Sequence, residues 1–146
     1  MRIPARRMAL AAFSAAAATA LFTAPAGATV FEQGISVHDD ARITEDGGVI
    51  LSGTYHCEQA SPEGAMQVKA TVEQDGGRLS IGGEQIVCDG TERRWVAHAP
   101  GAYTNVRAGT AKVTAELQEI HLSGLFPRSV DTVALDSRDV TFRRGN

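Results

Sequence analysis

Residues 49–57 read VILSGTYHC, and this stretch shows most clearly how the chain folds. An apolar or small residue recurs at every second position, while three of the four positions between are polar. Successive side chains of a β-strand point to opposite faces, so the pattern predicts a strand with one face in the core. Gly53 has no side chain, and we expect a large group to pack over it. The core-facing positions are Val49, Leu51, Gly53, Tyr55 and Cys57.

Two further stretches repeat this alternation. A helix would place its apolar residues three and four positions apart, whereas here they recur at every second position. Both stretches are therefore predicted to be half-buried strands. Their apolar rows are Met66, Val68, Ala70 and Val72 in residues 65–74, and Ala111, Val113, Ala115 and Leu117 in residues 111–118.

Turn signals separate the predicted strands. Residues 45–48 (EDGG) and 75–77 (DGG) are each expected to join two neighbouring strands, because Asp-Gly between alternating runs favours a hairpin turn. This succession of short strands within residues 41–146 predicts an all-β fold, a two-sheet antiparallel sandwich rather than a closed barrel. Strands are predicted at residues 42–44, 49–57, 65–74, 78–81, 84–88, 93–98, 111–118 and 138–143.

The first 28 residues have the pattern of an export signal. Three arginines and no acid precede an apolar stretch, and residues 26–28 (AGA) form a small-x-small cleavage pattern. We expect a helical signal peptide that is cleaved after Ala28, so that the mature chain begins at Thr29 and is secreted. The pair Arg6 and Arg7 also admits the twin-arginine export route.

The mature chain is short and acidic. Removing 28 of 146 residues leaves 118, which suits a single domain with one core. We expect residues 29–40 to be loosely ordered and residues 41–146 to form the sandwich. The signal holds three arginines, so its loss changes the net charge from −3 to −6. This acidity argues against nucleic acid as a partner, and no later stretch reaches the roughly 20 apolar residues of a membrane anchor.

The chain contains two cysteines, Cys57 and Cys88. An even count in a small exported protein favours a disulfide, which should stabilise the fold by about 3–4 kcal/mol. The alternative is a nucleophilic Cys57 beside His56, but neighbouring strand residues point to opposite faces. Trp95, the only tryptophan, is expected to pack on the disulfide, with ligand stacking as the alternative.

Three stretches without a strand pattern are predicted to be loops: residues 58–64, 99–109 and 123–132. The second combines an aromatic ring, an amide and a guanidinium in Tyr103, Asn105 and Arg107. Such a mixture suits a binding loop, although simple solvation explains it equally well.

Residues 123–131 are the candidate inhibitory loop of a secreted protease inhibitor. Proline holds the residue before it in an extended conformation. The segment Phe126, Pro127 and Arg128 would therefore present an extended bait to a protease.

Candidate catalytic residues are sparse. The histidines lack the close spacing of a metal-binding pair. Two alternatives remain. One is a metal site that gathers His56, His98 and either Asp89 or Glu92 across strands. The other is a small hydrolase that uses His56 or His98 with Asp89. No serine-hydrolase elbow or phosphate-binding glycine loop occurs. We therefore expect no metal, no cofactor and no enzymatic activity.

Five elements of the chain occur together in a familiar pattern: residues 51–57 (LSGTYHC), Gln74, residues 87–90 (VCDG), Trp95 and residues 108–113 (AGTAKV). They resemble a family of small secreted proteins of high-GC bacteria that is catalogued as a domain of unknown function. The resemblance implies an exported, disulfide-linked, immunoglobulin-like sandwich without an established activity, and it implies no catalytic residue.

These features favour a secreted, non-catalytic binding or interaction module. Its end loops would contact a protein, a glycan or a small apolar ligand. The alternatives are a secreted protease inhibitor that presents residues 123–131 and, with weaker support, a small extracellular hydrolase.

We predict that the exported protein begins at Thr29 and weighs about two daltons less than its reduced form, because a disulfide forms with the loss of two hydrogens. Intact mass spectrometry of protein from culture supernatant, with and without thiol alkylation, measures both. A different first residue would contradict the cleavage site, and alkylation of Cys57 would contradict the disulfide.

Overall fold

The alternating pattern of the sequence becomes eight β-strands in the computed structural model, which describes residues 33–58 and 65–145. The signal peptide predicted at residues 1–28 lies outside this part of the chain, as do residues 59–64 of the first predicted loop. Within the described ranges, no helix is long and apolar enough to cross a membrane. The elements are β1 (Gly34–Val37), β2 (Asp40–Ile43), β3 (Val49–His56), β4 (Ala65–Gln74), β5 (Gly77–Gln85), β6 (Arg93–Ala99), the 3₁₀ turn η1 (Gly101–Tyr103), β7 (Gly109–Ser123) and β8 (Phe126–Arg144).

Hydrogen bonding links the strands in the order β1-β3-β2-β8-β7-β4-β5, and β6 pairs with β3. β1 and β2 lie end to end on one side of β3, while β6 lies on its other side. The prediction of an all-β fold is confirmed. The sheet is mixed, however, rather than wholly antiparallel, because β2 runs antiparallel to β3 and parallel to β8.

The strands form two layers in the immunoglobulin manner. β1, β3 and β6 make one layer, and β4, β7 and β8 make the other, with β5 at its edge. This grouping matches the A-B-E and C-F-G strands of an immunoglobulin sandwich. β2 pairs with both β3 and β8 and so joins the layers. Their apolar faces enclose one core cluster.

The core contains the apolar rows that the sequence predicts. The core-facing side chains of residues 49–57 are at most 4 % exposed. The rows of β4 and β7 are buried as well, and β8 completes the core with Val140 and Phe142. Because each row comes from alternate positions of one strand, the period of two in the sequence determines which face is buried. The confirmed rows are Met66, Val68, Ala70 and Val72 in β4, and Ala111, Val113, Ala115 and Leu117 in β7.

Trp95 lies directly over Gly53, its register partner across β3 and β6. A Cβ atom at Gly53 would be 2.6 Å from Trp95 Nε1 and 1.8 Å from the carbonyl oxygen of Ser36. The indole Nε1 donates a hydrogen bond of 2.9 Å to that same oxygen. Trp95 is 3 % exposed and packs on Gly53, which confirms the large group expected over that glycine. The contact expected between Trp95 and the disulfide stays a prediction.

The Cys57–Cys88 disulfide is confirmed, with the two Cα atoms 4.9 Å apart. It joins the residue after β3 to the segment between β5 and β6. Tyr55 Oη donates to the carbonyl of Val87 at 3.2 Å, and Gly90 N donates to the carbonyl of Cys57 at 2.8 Å. The segment that follows β5 is therefore held to the end of β3 by one covalent and two hydrogen-bonded links.

Both predicted hairpin turns are present. Residues 45–48 connect β2 to β3, and Gly47 N donates to the carbonyl of Thr44 at 2.9 Å. β4 and β5 are joined by the two-residue turn Asp75-Gly76, in which both φ angles are positive. Such a turn matches the twist of the flanking strands, which explains the tight pairing of β4 with β5.

Three predicted boundaries are wrong. Residues 34–37, assigned to a loosely ordered segment, form β1 and pair with β3. The strand expected at 84–88 is the end of β5, which stops at Gln85. Most of the loop expected at 123–132 lies in β8, and only residues 124–125 form the turn of a long β7–β8 hairpin. Register shifts beside Gln118 and Leu122 interrupt the alternation of buried and exposed residues in the hairpin. The sequence therefore shows no continuous period of two there.

We predict that Gly53→Ala destabilises the fold by about 1–3 kcal/mol, because the added methyl group would overlap the Ser36 carbonyl and the Trp95 indole. Gly82→Ala is the matched control, since it also adds a methyl group to a strand glycine. Nothing lies within 4 Å of that methyl position, so its stability should be unchanged or slightly higher. Urea unfolding of both variants measures the difference, and equal stabilities would contradict the close packing.

Candidate functional site

The binding loop expected at 99–109 borders a shallow groove at the end of the sandwich that carries the β4–β5 turn. We call it the Tyr103 groove; its volume is about 190 Å³. Three of its lining side chains are aliphatic, and the others include polar groups from β4, β5 and the loop. The lining residues are Val72, Gln74, Gly77, Arg78, Leu79, Tyr103, Asn105 and Val106.

The start of the loop is packed against the β2–β3 turn. A Cβ atom at Gly101 would lie 1.8 Å from the carbonyl oxygen of Asp46, so only glycine permits this approach. Thr104 Oγ1 donates a hydrogen bond of 2.6 Å to the carbonyl of Gly47. The 3₁₀ turn that carries Tyr103 is thereby attached to the turn before β3.

The end of the loop is held by the side chain of Gln74, the last residue of β4. Its Nε2 donates to the carbonyl of Arg107 at 2.9 Å, and its Oε1 accepts from the backbone N–H of Arg107 at 2.7 Å. One amide side chain therefore pairs with both backbone groups of one residue, as a neighbouring strand would. In the sequence, Gln74 stands out only as part of the family pattern, and nothing there predicts that its side chain holds the loop.

The structure brings together two of the three residues proposed for recognition. Tyr103 and Asn105 both line the groove, and Tyr103 is 77 % exposed. Arg107 has a different role, because its backbone is the partner of Gln74. A loop held at both ends has little backbone freedom left to lose when its exposed aromatic ring binds a ligand.

The segment proposed as an inhibitory loop is hydrogen bonded in the β7–β8 hairpin. Pro127 pairs with Leu122, and Phe126 pairs with Ser123 across the turn. Leu125 is 94 % exposed and Phe126 is 77 % exposed, so the tip presents apolar side chains. Phe126 and Pro127 and residues 129–131 pair with β7, and Arg128 lies at the register shift between them. This segment is therefore not the free loop that the sequence predicts; its inhibitory role stays a prediction.

The two candidate histidines, His56 and His98, lie far apart. His98 pairs with Ile50 of β3, whereas His56 lies six residues further along that strand. At about 3.3 Å per residue, six residues correspond to roughly 20 Å. Within residues 33–58 and 65–145, no group of three His, Cys, Asp or Glu side chains is placed to hold a metal ion. The structure therefore does not bring His56 and His98 into one site, and a hydrolase that uses one of them with Asp89 stays a prediction.

Asp89 forms an ion pair with Arg93. Arg93 Nε donates to Asp89 Oδ1 at 3.2 Å, its Nη2 donates to Oδ2, and Thr91 N donates to Oδ1 at 3.1 Å. The hydrogen bond from Arg93, followed by that from Thr91, lowers the pKa of Asp89 to about 2. A carboxylate with so low a pKa is a poor general base near neutral pH.

We predict that Arg93→Gln raises the pKa of Asp89 from about 2 towards 3.8, the ordinary value. A lowered pKa in the folded state stabilises the fold above the ordinary pKa, and this contribution is lost as the pH falls through about 2. Titration of the Asp89 carboxyl carbon by NMR measures the shift. Arg94→Gln is the control, because neighbouring strand residues point to opposite faces. A pKa that is unchanged by Arg93→Gln would show that this ion pair does not form.

Comparison with known proteins identifies the family. No curated protein matches the chain. Residues 31–145 match the family described as "Family of unknown function (DUF6299)", which confirms the resemblance to a domain of unknown function. Because this match covers the whole sandwich, with its disulfide and its Tyr103 groove, the chain belongs to the DUF6299 family.

Proposed function

We propose that the protein is an exported, non-catalytic binding module that recognises a carbohydrate through the Tyr103 groove. The observation that carries the proposal is Tyr103 itself, 77 % exposed on a loop anchored at Gly47 and Gln74. Export is supported by the signal pattern of residues 1–28 and by the disulfide, since disulfides persist in oxidising compartments.

The chemistry of the groove suits a sugar ring. The face of an aromatic ring carries partial negative charge and attracts the C–H groups of a pyranose. Asn105 and Arg78, on the groove wall, supply hydrogen-bonding groups for hydroxyls. Gln74 is less available, because both ends of its amide contact Arg107. The groove therefore pairs a stacking surface with polar groups at its edge.

The size of the groove restricts what it can hold. Its volume of about 190 Å³ is below the roughly 300–1,000 Å³ of pockets that enclose a drug-sized ligand. One sugar unit would fill it, and the rest of an oligosaccharide would extend over the surface. Recognition of one unit of a longer glycan fits this geometry better than capture of a free apolar molecule.

We predict that Tyr103→Ala weakens oligosaccharide binding at least tenfold, about 1.4 kcal/mol, because the stacking surface is removed. Tyr103→Phe keeps the ring and should retain most of the affinity. Leu135→Ala is the control for loss of an exposed apolar side chain elsewhere, Leu135 being 57 % exposed.

The experiment screens the folded, disulfide-bonded protein on a glycan array and then measures the strongest binder by calorimetry with all four proteins. Equal affinities for the wild type and Tyr103→Ala would reject the groove as the site. Failure of the whole array to bind would reject carbohydrate as the ligand class.

A further inference from the structure

A second groove follows the outer face of the layer formed by β1, β3 and β6 and continues onto β2 and β8. Its volume is about 850 Å³, larger than that of the Tyr103 groove. Within the described part of the chain, five cationic side chains line it, and all are arginines. We call it the arginine groove; its arginines are Arg42, Arg94, Arg138, Arg143 and Arg144.

The charge of this groove opposes that of the protein. Five arginines and two aspartates, Asp39 and Asp40, give its lining a net charge of +3, whereas the whole chain carries −3. Arg138 forms ion pairs with Asp39 and Asp136, and Arg143 lies 3.8 Å from Asp40. Among the described residues, Arg42, Arg94 and Arg144 have no ion-pair partner.

The fold places like charges side by side. Arg42 and Arg143 are register partners in the parallel β2–β8 pair, and Arg144 follows directly. Like charges directly opposite each other on neighbouring strands destabilise a sheet. The arrangement therefore has a cost in the free protein, and an anion bound between the arginines would remove it.

The groove is wide enough for several anionic groups. Arg94 lies on β6 and Arg143 on β8, with β3 and β2 between them. Arg94 pairs with Thr54 of β3 and Arg42 pairs with Ile50, so at about 3.3 Å per residue the two arginines are offset by roughly 13 Å along β3, in addition to their separation across that strand. A chain of phosphate or carboxylate groups can span this distance and contact arginines at both ends of the groove.

The lining favours an anionic chain without bases. The residues between the arginines are small or polar, among them Ser36, His38 and Ser52. Among the described residues that line this groove, the His38 imidazole is the only aromatic side chain, whereas proteins that bind single-stranded nucleic acid stack the bases on aromatic rings. Guanidinium groups match phosphate and carboxylate oxygens with two parallel hydrogen bonds.

We propose that the arginine groove binds a linear anionic polymer whose repeating phosphate or carboxylate groups contact several arginines at once. This site is separate from the Tyr103 groove and does not depend on carbohydrate recognition there.

The test measures binding of long-chain inorganic polyphosphate by the full mature protein at several salt concentrations. The groove variant is Arg42→Gln with Arg144→Gln. The matched control is Lys112→Gln with Arg128→Gln, which removes the same charge at positions outside the groove lining. We expect the groove variant to lose at least tenfold in affinity and to show a shallower salt dependence, since fewer counterions are released. The control should stay within about threefold of the wild type.

Thermal unfolding without polymer provides a second readout. Because the groove variant relieves repulsion between like charges, its melting temperature should equal or exceed that of the wild type. A lower melting temperature would contradict the repulsion on which the proposal rests.

Parallel titrations identify the anionic group and the polymer class. Polygalacturonate binding with the same dependence on Arg42 and Arg144 would support the site with carboxylate as the ligand. Equal losses in the groove and control variants would overturn it, as would failure of both polymers to bind at 50 mM salt. Tighter binding of duplex DNA through the same arginines would also overturn it, and would indicate a nucleic-acid site instead.

Discussion

The close contact between β3 and its two neighbours at Gly53 is the constraint on which the rest of the structure depends. Trp95 from β6 lies over Gly53, and its indole N–H donates to the Ser36 carbonyl of β1. One tryptophan therefore links three strands of the layer. The Ser36 carbonyl also gives the buried indole N–H the hydrogen-bond acceptor that it requires. With this layer in register, β3 presents its apolar row to the opposite layer.

The second constraint is the change of partner between β1 and β2. At Val37 the backbone N–H donates to the carboxylate of Asp136 at 2.8 Å, and His38 N donates to Ser52. After this point the chain also pairs with β8. A buried backbone donor left without an acceptor would cost about 1–3 kcal/mol, so Asp136 makes the change of partner feasible. The same change places Arg42 beside Arg143 and so creates the arginine groove.

The two proposed binding surfaces differ in how the fold prepares them. The loop of the Tyr103 groove is held in place, since Gly101 and Thr104 pack against the β2–β3 turn and Arg107 pairs with Gln74 at the end of β4. The arginine groove is positively charged, since strand pairing brings together arginines that repel each other. A restrained aromatic ring limits the entropy lost on binding, and unpaired arginines favour an anionic ligand. The molecule thus has separate surfaces for the neutral and the charged ligand that we propose.

The sequence by itself determined the buried rows of β3, β4 and β7, the two Asp-Gly turns, the single disulfide and the need for a large group over Gly53. These features follow from local rules, because the period of a strand and the chemistry of a turn depend on neighbouring residues. Tertiary structure alone decided the parallel β2–β8 pair, the long β7–β8 hairpin, the contact of Gln74 with Arg107 and the gathering of distant arginines. Each of these joins segments far apart in the chain, and the choice among such pairings depends on the free energy of the whole core, which no local pattern contains.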